Sequence, residues 1–327
     1  MAKRKGMREG ALWPALRGYW HPVAFADELK DDKPLAVTLL DERLAICRLG
    51  GKPRAFYDLC VHRGTPISMG WVEGENIVCA YHGWTYNSKG VCTRIPSIPD
   101  KHPIPKKACL TSYLCEEKYG IIWVCMSEKP KTPIADYPEY DDDDYDVFVK
   151  DKDTWDCSSA RAIENFVDQA HFPWVHEGIL GDREHAVTSE IELERDGEAL
   201  LFRRQDLASK FHPVPHVRNY RLTRPFTIYQ RKEEDSGNAE CFFFVVTPHS
   251  AKKTTWYFLI ARNYDPEAMG VQGEEHFYRT ILEQDLVILK EQRPEELPLD
   301  LSEELHIKGP DAVALAYRKI LAELDVE

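Results

Sequence analysis

Two pairs of cysteine and histidine, on separate short segments, limit what this chain can fold into. Cys60 and His62 are separated by one residue, and Cys79 and His82 are separated by two. A thiolate and imidazole pair repeated on two loops suits a [2Fe–2S] cluster in which two histidines replace two cysteines on one iron. The sequence therefore predicts a domain in which these two loops meet.

Glycines close to both histidines support this interpretation. Gly64 and Gly83 each follow a histidine within two residues, where a tight turn directs backbone N–H groups toward the sulfurs. We expect Pro66, Trp84 and Tyr86 to limit the access of water. The alternative is a structural zinc site, which also uses two cysteines and two histidines. Zinc fingers usually pair cysteine with cysteine and histidine with histidine, however.

A second set of metal-ligand residues lies further along the chain. His171 and His176 are five positions apart, and Asp285 is a candidate third ligand. Two histidines and one carboxylate suit a mononuclear Fe(II) that keeps positions open for dioxygen. The chain thus pairs a candidate electron-transfer centre with a candidate reaction centre.

The local sequence predicts how these histidines are positioned. Residues 160–172 read as a helix that places Asn165, Asp168 and His171 roughly on one face. His176 lies too far round for that face. We expect Pro173 to break the helix at the preceding residue and to bring His176 back toward His171.

Asp285 falls within an amphipathic pattern over 274–292, which predicts a helix with one apolar stripe. An unpaired carboxylate buried in such a stripe would be costly, and binding a dication removes that cost. The alternative is a buried aspartate paired with an arginine or a helix terminus. Glu283 is a weaker candidate. The stripe consists of Phe277, Ile281, Leu282, Asp285, Ile288 and Leu289.

Proline and acidic residues divide the chain into a domain over 1–130 with an N-terminal extension, a linker over 131–154 and a second domain over 155–327. The acidic run Asp141–Asp144 reads as a solvated linker or as a docking patch. The order of elements predicts an α+β protein, with an all-β first domain and a sheet-and-helix second domain that ends in helices over 274–292 and 311–323. Predicted strands are 35–39, 44–48, 77–79, 121–124, 200–205, 227–231, 241–247 and 255–261.

Composition excludes several classes of protein. The formal charge of −13 over 327 residues argues against a nucleic-acid ligand. It suits docking to a basic face on an electron-donor protein, and it is equally typical of an ordinary acidic enzyme. No apolar run approaches a membrane span, and the N-terminus does not resemble a signal peptide. Nine cysteines without regular pairing favour a reduced, cytoplasmic protein.

Four features of the chain together resemble the Rieske non-haem iron oxygenases. They are the two loops, the segment 165–176, the stretch 283–285 and the pattern Leu-Gly-Asp-Arg at 180–183. The resemblance covers nearly the whole chain. It is strongest to the compact alpha-only group that includes vanillate O-demethylase, toluenesulfonate methyl-monooxygenase and the saxitoxin-type hydroxylases. It implies a Rieske domain, followed by a twisted antiparallel sheet that grips a long helix.

The resemblance also implies cofactors, partners and roles. The cluster would be held by Cys60, His62, Cys79 and His82. The Fe(II) that activates dioxygen would be held by His171, His176 and Asp285. Asp168 would link His82 of one chain to His171 of the next, so we expect a homotrimer. A separate reductase, with or without a ferredoxin, would supply electrons from NAD(P)H, since the chain lacks a GxGxxG fingerprint.

The implied reaction is hydroxylation or oxidative demethylation of a small aromatic or heterocyclic substrate, with cis-dihydroxylation as the alternative. An electron carrier and an apolar ligand-binding protein are alternatives of a different class, but both leave the second ligand set unexplained. Asn165 is a candidate catalytic residue. Candidate pocket residues, for which ordinary core packing is the alternative, are Phe166, Trp174, Phe202, Arg204, Phe242, Phe244, Tyr278, Ile281 and Leu282.

Overall fold

The structure is a computed structural model that describes residues 6–188, 190–205, 217–264 and 270–326. The chain forms two compact units. One comprises residues 17–134, and the other combines residues 1–16 with residues 135–327. Within the described ranges, no helix has both the length and the apolar character needed to cross a bilayer.

The unit of residues 17–134 is built from antiparallel sheets. A six-stranded sheet has the order β1-β10-β9-β4-β3-β2, and a four-stranded sheet has the order β5-β6-β7-β8. The strands are β1 His21–Phe25, β2 Leu35–Leu39, β3 Glu42–Leu49, β4 Lys52–Tyr57, β5 Trp71–Glu73, β6 Asn76–Val78, β7 Thr85–Tyr86, β8 Cys92–Arg94, β9 Ser112–Lys118 and β10 Ile121–Cys125.

The core of this unit surrounds the first candidate site. Phe56, Ile67 and Ile77 are fully buried, and the buried cysteines Cys60 and Cys79 pack in the same cluster. Short strands and turns fill this unit because its β-branched and aromatic residues occur in brief runs between glycines and prolines. The predicted all-β first domain is confirmed.

The second unit is one seven-stranded antiparallel sheet with helices. Its strand order is β11-β17-β16-β15-β14-β13-β12. The strands are β11 Asp146–Trp155, β12 Glu192–Asp196, β13 Ala199–Gln205, β14 Val217–Thr223, β15 Thr227–Glu233, β16 Ala239–Ser250 and β17 Lys253–Arg262. The helices are α1 Trp13–Leu16, α2 Ser159–Val167, α3 Phe172–Val175, α4 Gly270–Leu289 and α5 Ala312–Ala322.

Both faces of the central strands are covered. Phe244 of β16 stacks on Phe166 of α2, with ring centroids 4.4 Å apart. The next residue, Phe243, stacks on Tyr137 on the opposite face, at 4.9 Å. Because neighbouring side chains alternate between faces, every second residue of β16 faces the helices. This explains why β16 and β17 read as continuous apolar runs.

The structure corrects the helix predicted over 160–172. Helix α2 ends at Val167, and Asp168 has an extended backbone with φ −79° and ψ 126°. A separate one-turn helix starts at Phe172, with Pro173 in its first turn, where a missing N–H breaks no helical hydrogen bond. The chain therefore bends before His171, and Pro173 begins a helix instead of ending one.

Residues 131–154 also differ from the predicted linker. The acidic run Asp141–Asp144 is exposed, but Asp146–Trp155 pairs with β17 along its whole length and forms the edge of the sheet. Charged residues are favoured on sheet edges because they prevent pairing with another chain, so an edge strand resembles a linker in composition.

The N-terminal residues belong to the second unit, whereas the sequence grouped them with the first domain. The Glu9 carboxylate is fully buried and accepts a hydrogen bond from the backbone N–H of Ala160, at 3.0 Å. Burial raises the pKa of Glu9 to about 7. Residues before the first strand thus stabilise the first turn of α2.

A buried cluster of charges holds the other side of α2. Arg318 of α5 donates to both carboxylate oxygens of Glu164 at 2.6 Å and to Glu304 at 2.6 Å. Arg161 also donates to Glu304, at 2.6 Å. Removing one member of such a cluster would leave a buried charge unpaired, so these contacts fix the helix that leads into the second candidate site.

Two candidate metal centres

The two cysteine-containing loops close in the same way. The Cys60 N–H donates to the Thr65 carbonyl at 2.8 Å, and the Cys79 N–H donates to the Trp84 carbonyl at 2.9 Å. Gly64 and Gly83 each donate back to the carbonyl of their own cysteine, at 2.9 and 3.0 Å. Both glycines have φ near +70°, a conformation that other residues adopt only with strain. The tight turns predicted after the histidines are therefore present.

The cysteine sulfurs lie together inside the unit. Cys60 and Cys79 are 2% and 1% exposed, and their thiols are within hydrogen-bonding range of each other. The Tyr86 hydroxyl contacts the Cys60 Sγ at 3.1 Å, and the backbone N–H groups of Tyr81 and His82 point at the Cys79 sulfur. Burial raises the pKa of Cys79, so thiolate at this position requires a cationic partner.

The two imidazoles lie together nearer the surface. The ring centroids of His62 and His82 are 4.5 Å apart. Trp84 stacks on His62 at 4.5 Å, and His82 is exposed. The buried Nδ1 of His62 has no hydrogen-bond partner among the described residues. Paired thiols at one end, paired imidazoles at the other and an orphaned ring nitrogen fit a [2Fe–2S] cluster with two sulfur and two nitrogen ligands.

The second site gathers ligands from distant parts of the chain. One ligand atom from each of His171, His176 and Asp285 lies within 4.8 Å of the others. The Nε2 atoms of His171 and His176 are 3.3 and 3.0 Å from Oδ1 of Asp285. Neither contact has hydrogen-bond geometry, so both buried nitrogens are unpartnered among the described residues. Two imidazole nitrogens and one carboxylate aimed at one point fit a divalent iron.

Each histidine of this site is oriented from behind. The His171 Nδ1–H donates to Oδ2 of Asp168 at 3.0 Å, and the His176 Nδ1–H donates to Oε1 of Gln284 at 2.8 Å. In the neutral imidazole, these contacts select the tautomer with its hydrogen on Nδ1, so that a metal can bind Nε2 in place of a proton. Gln284 is a residue that sequence reasoning missed, and its position beside Asp285 on α4 was the available signal.

Electrostatics link the members of the site. Burial lowers the pKa of His171, but the carboxylates of Asp168 and Asp285 outweigh burial and raise it to about 9. Burial raises the pKa of Asp285, and the two histidines reverse this and lower it. The acid therefore remains ionised, and among the described residues its partners are the two histidines and Asn165 instead of the arginine of the alternative.

Two further predicted residues contact the site differently. The Asn165 Nδ2 donates to Oδ1 of Asp285 at 3.4 Å. Arg204 is 3% exposed and donates to the Val167 carbonyl at 2.8 Å and to the Tyr220 hydroxyl at 2.6 Å. Two of its nitrogens therefore have polar partners within the protein, at the carbonyl end of α2 and on Tyr220, whereas its buried Nε has none among the described residues.

Aromatic residues form the wall between the sheet and α4. Tyr278 contacts Phe242 and Phe258, with ring centroids 5.4 and 5.8 Å apart. On the same helix as Tyr278, Leu282 is buried and Ile281 is half-buried. Two of the predicted residues are exposed. Ile288 of the apolar stripe is 47% exposed, and the candidate pocket residue Trp174, which is not on α4, is 58% exposed. Ile288 therefore lies off the buried face of α4.

Each of the two candidate sites falls within a segment that matches a known protein domain. Residues 19–113 match the Rieske [2Fe-2S] domain, and residues 155–327 match the vanillate O-demethylase oxygenase C-terminal domain. The methylxanthine N1-demethylase NdmA of Pseudomonas putida is 31% identical and aligns over 94% of this chain and 89% of its own length. The N3-demethylase NdmB of the same organism is 30% identical over 95% of this chain and 90% of its own.

The likeness extends to the fold. The structure of NdmA with caffeine superposes with a TM-score of 0.86 at 29% identity and covers 97% of this chain and 93% of that one. Enzymes of this kind combine a [2Fe–2S] cluster with a mononuclear Fe(II), and they use dioxygen and electrons from a separate reductase. Domain matches that together cover both ligand sets, and relatives that align end to end, show that this chain belongs to the Rieske non-haem iron oxygenases.

Proposed function

We propose that this protein is the terminal oxygenase of an N-demethylating system that acts on a small N-methylated heterocycle. The observation that carries the proposal is the convergence of His171, His176 and Asp285 beside an aromatic wall. An electron carrier needs no such site. The names of the relatives NdmA and NdmB supply the substrate class, since both are methylxanthine demethylases.

The reaction balances as a monooxygenation. One oxygen atom enters the N-methyl C–H bond, and the other leaves as water with two electrons and two protons. The resulting hydroxymethyl group separates as formaldehyde and leaves the N–H compound. Fe(II), when bound, supplies the activation of dioxygen.

The proposed roles of the residues follow from their contacts. His171, His176 and Asp285 are the proposed iron ligands, and Cys60, His62, Cys79 and His82 are the proposed cluster ligands. Asp168 and Gln284 hold the two iron-binding rings through their Nδ1–H groups. Asn165 donates to Asp285 and so steadies the carboxylate. The aromatic wall excludes water from the reacting methyl group.

Asp168 is also the proposed link between the two centres. Its carboxylate is 32% exposed while it accepts from His171, so one lone pair is accessible to a second imidazole. The exposed His82 of a neighbouring subunit is the proposed second donor. This arrangement requires a ring-shaped homo-oligomer, for which we propose a trimer. We also propose a cytoplasmic location, because none of the nine cysteines forms a disulfide bond.

The test is turnover with product identification. The protein with both iron centres loaded is combined with a surrogate reductase, NADH and a panel of N-methylxanthines and other N-methyl heterocycles. We expect one formaldehyde and one demethylated product per dioxygen consumed, with His171→Ala as the inactive control. Dioxygen uptake without formaldehyde for every compound, or incorporation of both oxygen atoms into the product, would contradict N-demethylation.

A further inference from the structure

One buried amide nitrogen on the central sheet of the second unit has no hydrogen-bond partner among the described residues. Gln230 lies on β15 and is 3% exposed, and its Nε2 makes no hydrogen bond to the described residues. A buried amide without a partner is costly, and native structures rarely leave one without a reason. The position of Gln230 supplies a reason.

Gln230 is on the face of the sheet that carries the helices. It pairs with Tyr220 on one neighbouring strand and with Phe242 on the other. Phe242 contacts Tyr278 of α4, whereas the adjacent Tyr229 contacts Tyr137 on the opposite face. Directly paired residues on one face have Cβ atoms about 5 Å apart. The amide of Gln230 is therefore flanked by two aromatic rings.

On one side, these neighbours lead to the histidines. The Tyr220 hydroxyl accepts from Arg204, and the guanidinium of Arg204 lies over the ring of Phe172 at 5.4 Å. The ring of Phe172 contacts that of His171 at 4.9 Å. Three successive contacts, through Arg204 and Phe172, thus connect Tyr220 with a proposed iron ligand.

On the other side, the neighbours lead to the carboxylate. Phe242 contacts Tyr278, which lies seven residues before Asp285 on the same helix. Seven residues correspond to about two turns, or about 10 Å along the axis. Gln230 thus lies on the sheet between the two segments that carry the proposed iron ligands.

The charge around this position indicates the polarity of the ligand. The next row across the sheet, running through successive pairs of neighbouring strands, contains Arg204, Arg218, Lys232, Glu240 and Arg262. Four of these five residues are cationic, and the side chain of Arg218 is only 15% exposed. The carboxylate of Glu240 is 3.9 Å from Arg218. Lys232 also lies 3.6 Å from Glu234, so the row carries a modest excess of cations, which favours hydrogen-bond-accepting groups nearby.

We propose that Gln230 is a substrate-recognition residue, and that its amide N–H donates to a carbonyl oxygen of a planar heterocycle lying between the aromatic rings. The inference rests on the proposed demethylase function and narrows its substrate class to N-methyl heterocycles that carry a ring carbonyl. Heterocycles without this acceptor leave the amide unpaired and bind more weakly.

Two matched pairs of probes test the assignment by calorimetric titration of the holoenzyme. The first pair is 7-methylxanthine and 7-methylpurine, which differ by two carbonyl groups. The second is 1-methyl-2-indolinone and 1-methylindoline, which differ by one carbonyl group. We expect Gln230→Leu to weaken binding of the carbonyl compound about tenfold, the usual effect of one lost hydrogen bond, and to leave its partner within about twofold. Gln230→Glu, which keeps the shape but replaces the donor, should also weaken it.

The matched control is Tyr229→Phe, which removes a hydroxyl from the adjacent residue on the opposite face. It should leave all four affinities unchanged. Equal losses for both members of a pair, unchanged binding in both Gln230 variants, or no binding of any probe by the wild type would overturn the proposal.

Turnover separates this proposal from the proposed function. If 7-methylxanthine binds through Gln230 but yields no formaldehyde, demethylation fails while the recognition role stands. If demethylation occurs and Gln230→Leu leaves its KM unchanged, the recognition role fails while the function stands.

Discussion

The two candidate metal centres are assembled in different ways. Each cluster loop closes on itself within six residues, through hydrogen bonds that repeat in both loops. The iron site instead joins groups 108 and 120 positions apart, as in the pairs His176–Gln284 and Asn165–Asp285. The first centre depends on local turns, and the second depends on how α2, α3 and α4 pack on one sheet. Variants can separate these two modes of assembly.

The largest effect is expected from removing an iron ligand. His171→Ala should lose the mononuclear iron and reduce turnover more than about 100-fold. This exceeds the loss expected for a residue that only hydrogen-bonds to a metal ligand, which is about 10- to 100-fold. The visible spectrum of the cluster should be unchanged, because its loops are independent of this residue. Metal analysis and formaldehyde release measure both effects. His185→Ala, an exposed histidine nearby in sequence, is the control. A His171→Ala protein with wild-type turnover would refute the ligand assignment.

Asp168→Asn tests whether the two centres communicate through this carboxylate. The variant keeps the shape but weakens the charge-assisted bond to His171, so both metals should remain while electron transfer slows about 10- to 100-fold. Stopped-flow oxidation of the reduced cluster by substrate and dioxygen measures the rate. Asp182→Asn, which alters a separate pair with His185, should have no effect. An unchanged rate in Asp168→Asn would remove this residue from the path.

Gln284→Leu probes the other iron-binding histidine. Without the Oε1 acceptor, the ring of His176 loses its orientation, and affinity for Fe(II) should fall about 10- to 100-fold. Because the site still has its three ligands, saturating iron should restore most of the turnover. Titration of the iron-free site measures the loss. Glu283→Gln, on an exposed position of the same helix, is the control, and equal affinities in the two variants would argue against the role of Gln284.

The smallest effects are expected from the loop glycines. Gly83→Ala should lower the free energy of unfolding by about 1–2 kcal/mol through its positive φ, and further because the new Cβ would lie 3.1 Å from Pro96 Cγ. Gly64→Ala has more room, with its closest neighbour at 3.6 Å, and should lose less. Thermal denaturation followed by cluster absorbance ranks the two. Gly74→Ala, with φ +62° and open space, measures the backbone cost alone; a ranking with Gly64 worst would contradict this account.

The regular elements could be predicted because their patterns are local. The strands predicted at 35–39, 200–205, 227–231 and 255–261 lie within observed strands, and the helix predicted at 311–323 is observed over Ala312–Ala322. The helix over 160–172 was wrong at its end. Its composition suits a helix throughout, but Gln169 donates to the Gln205 carbonyl on the neighbouring β13 strand, a tertiary contact that no local pattern contains.

The sequence by itself determined the ligand types, the spacing within each loop and the alternation that forms the sheets. These are properties of neighbouring residues, and backbone sterics and side-chain chemistry fix them. Only the tertiary structure decided that Gln284 orients His176, that Arg204 binds the carbonyl end of α2 and that the Nε2 of Gln230 has no partner among the described residues. Such contacts join segments far apart in the chain, and they form only when packing on the sheet brings those segments together.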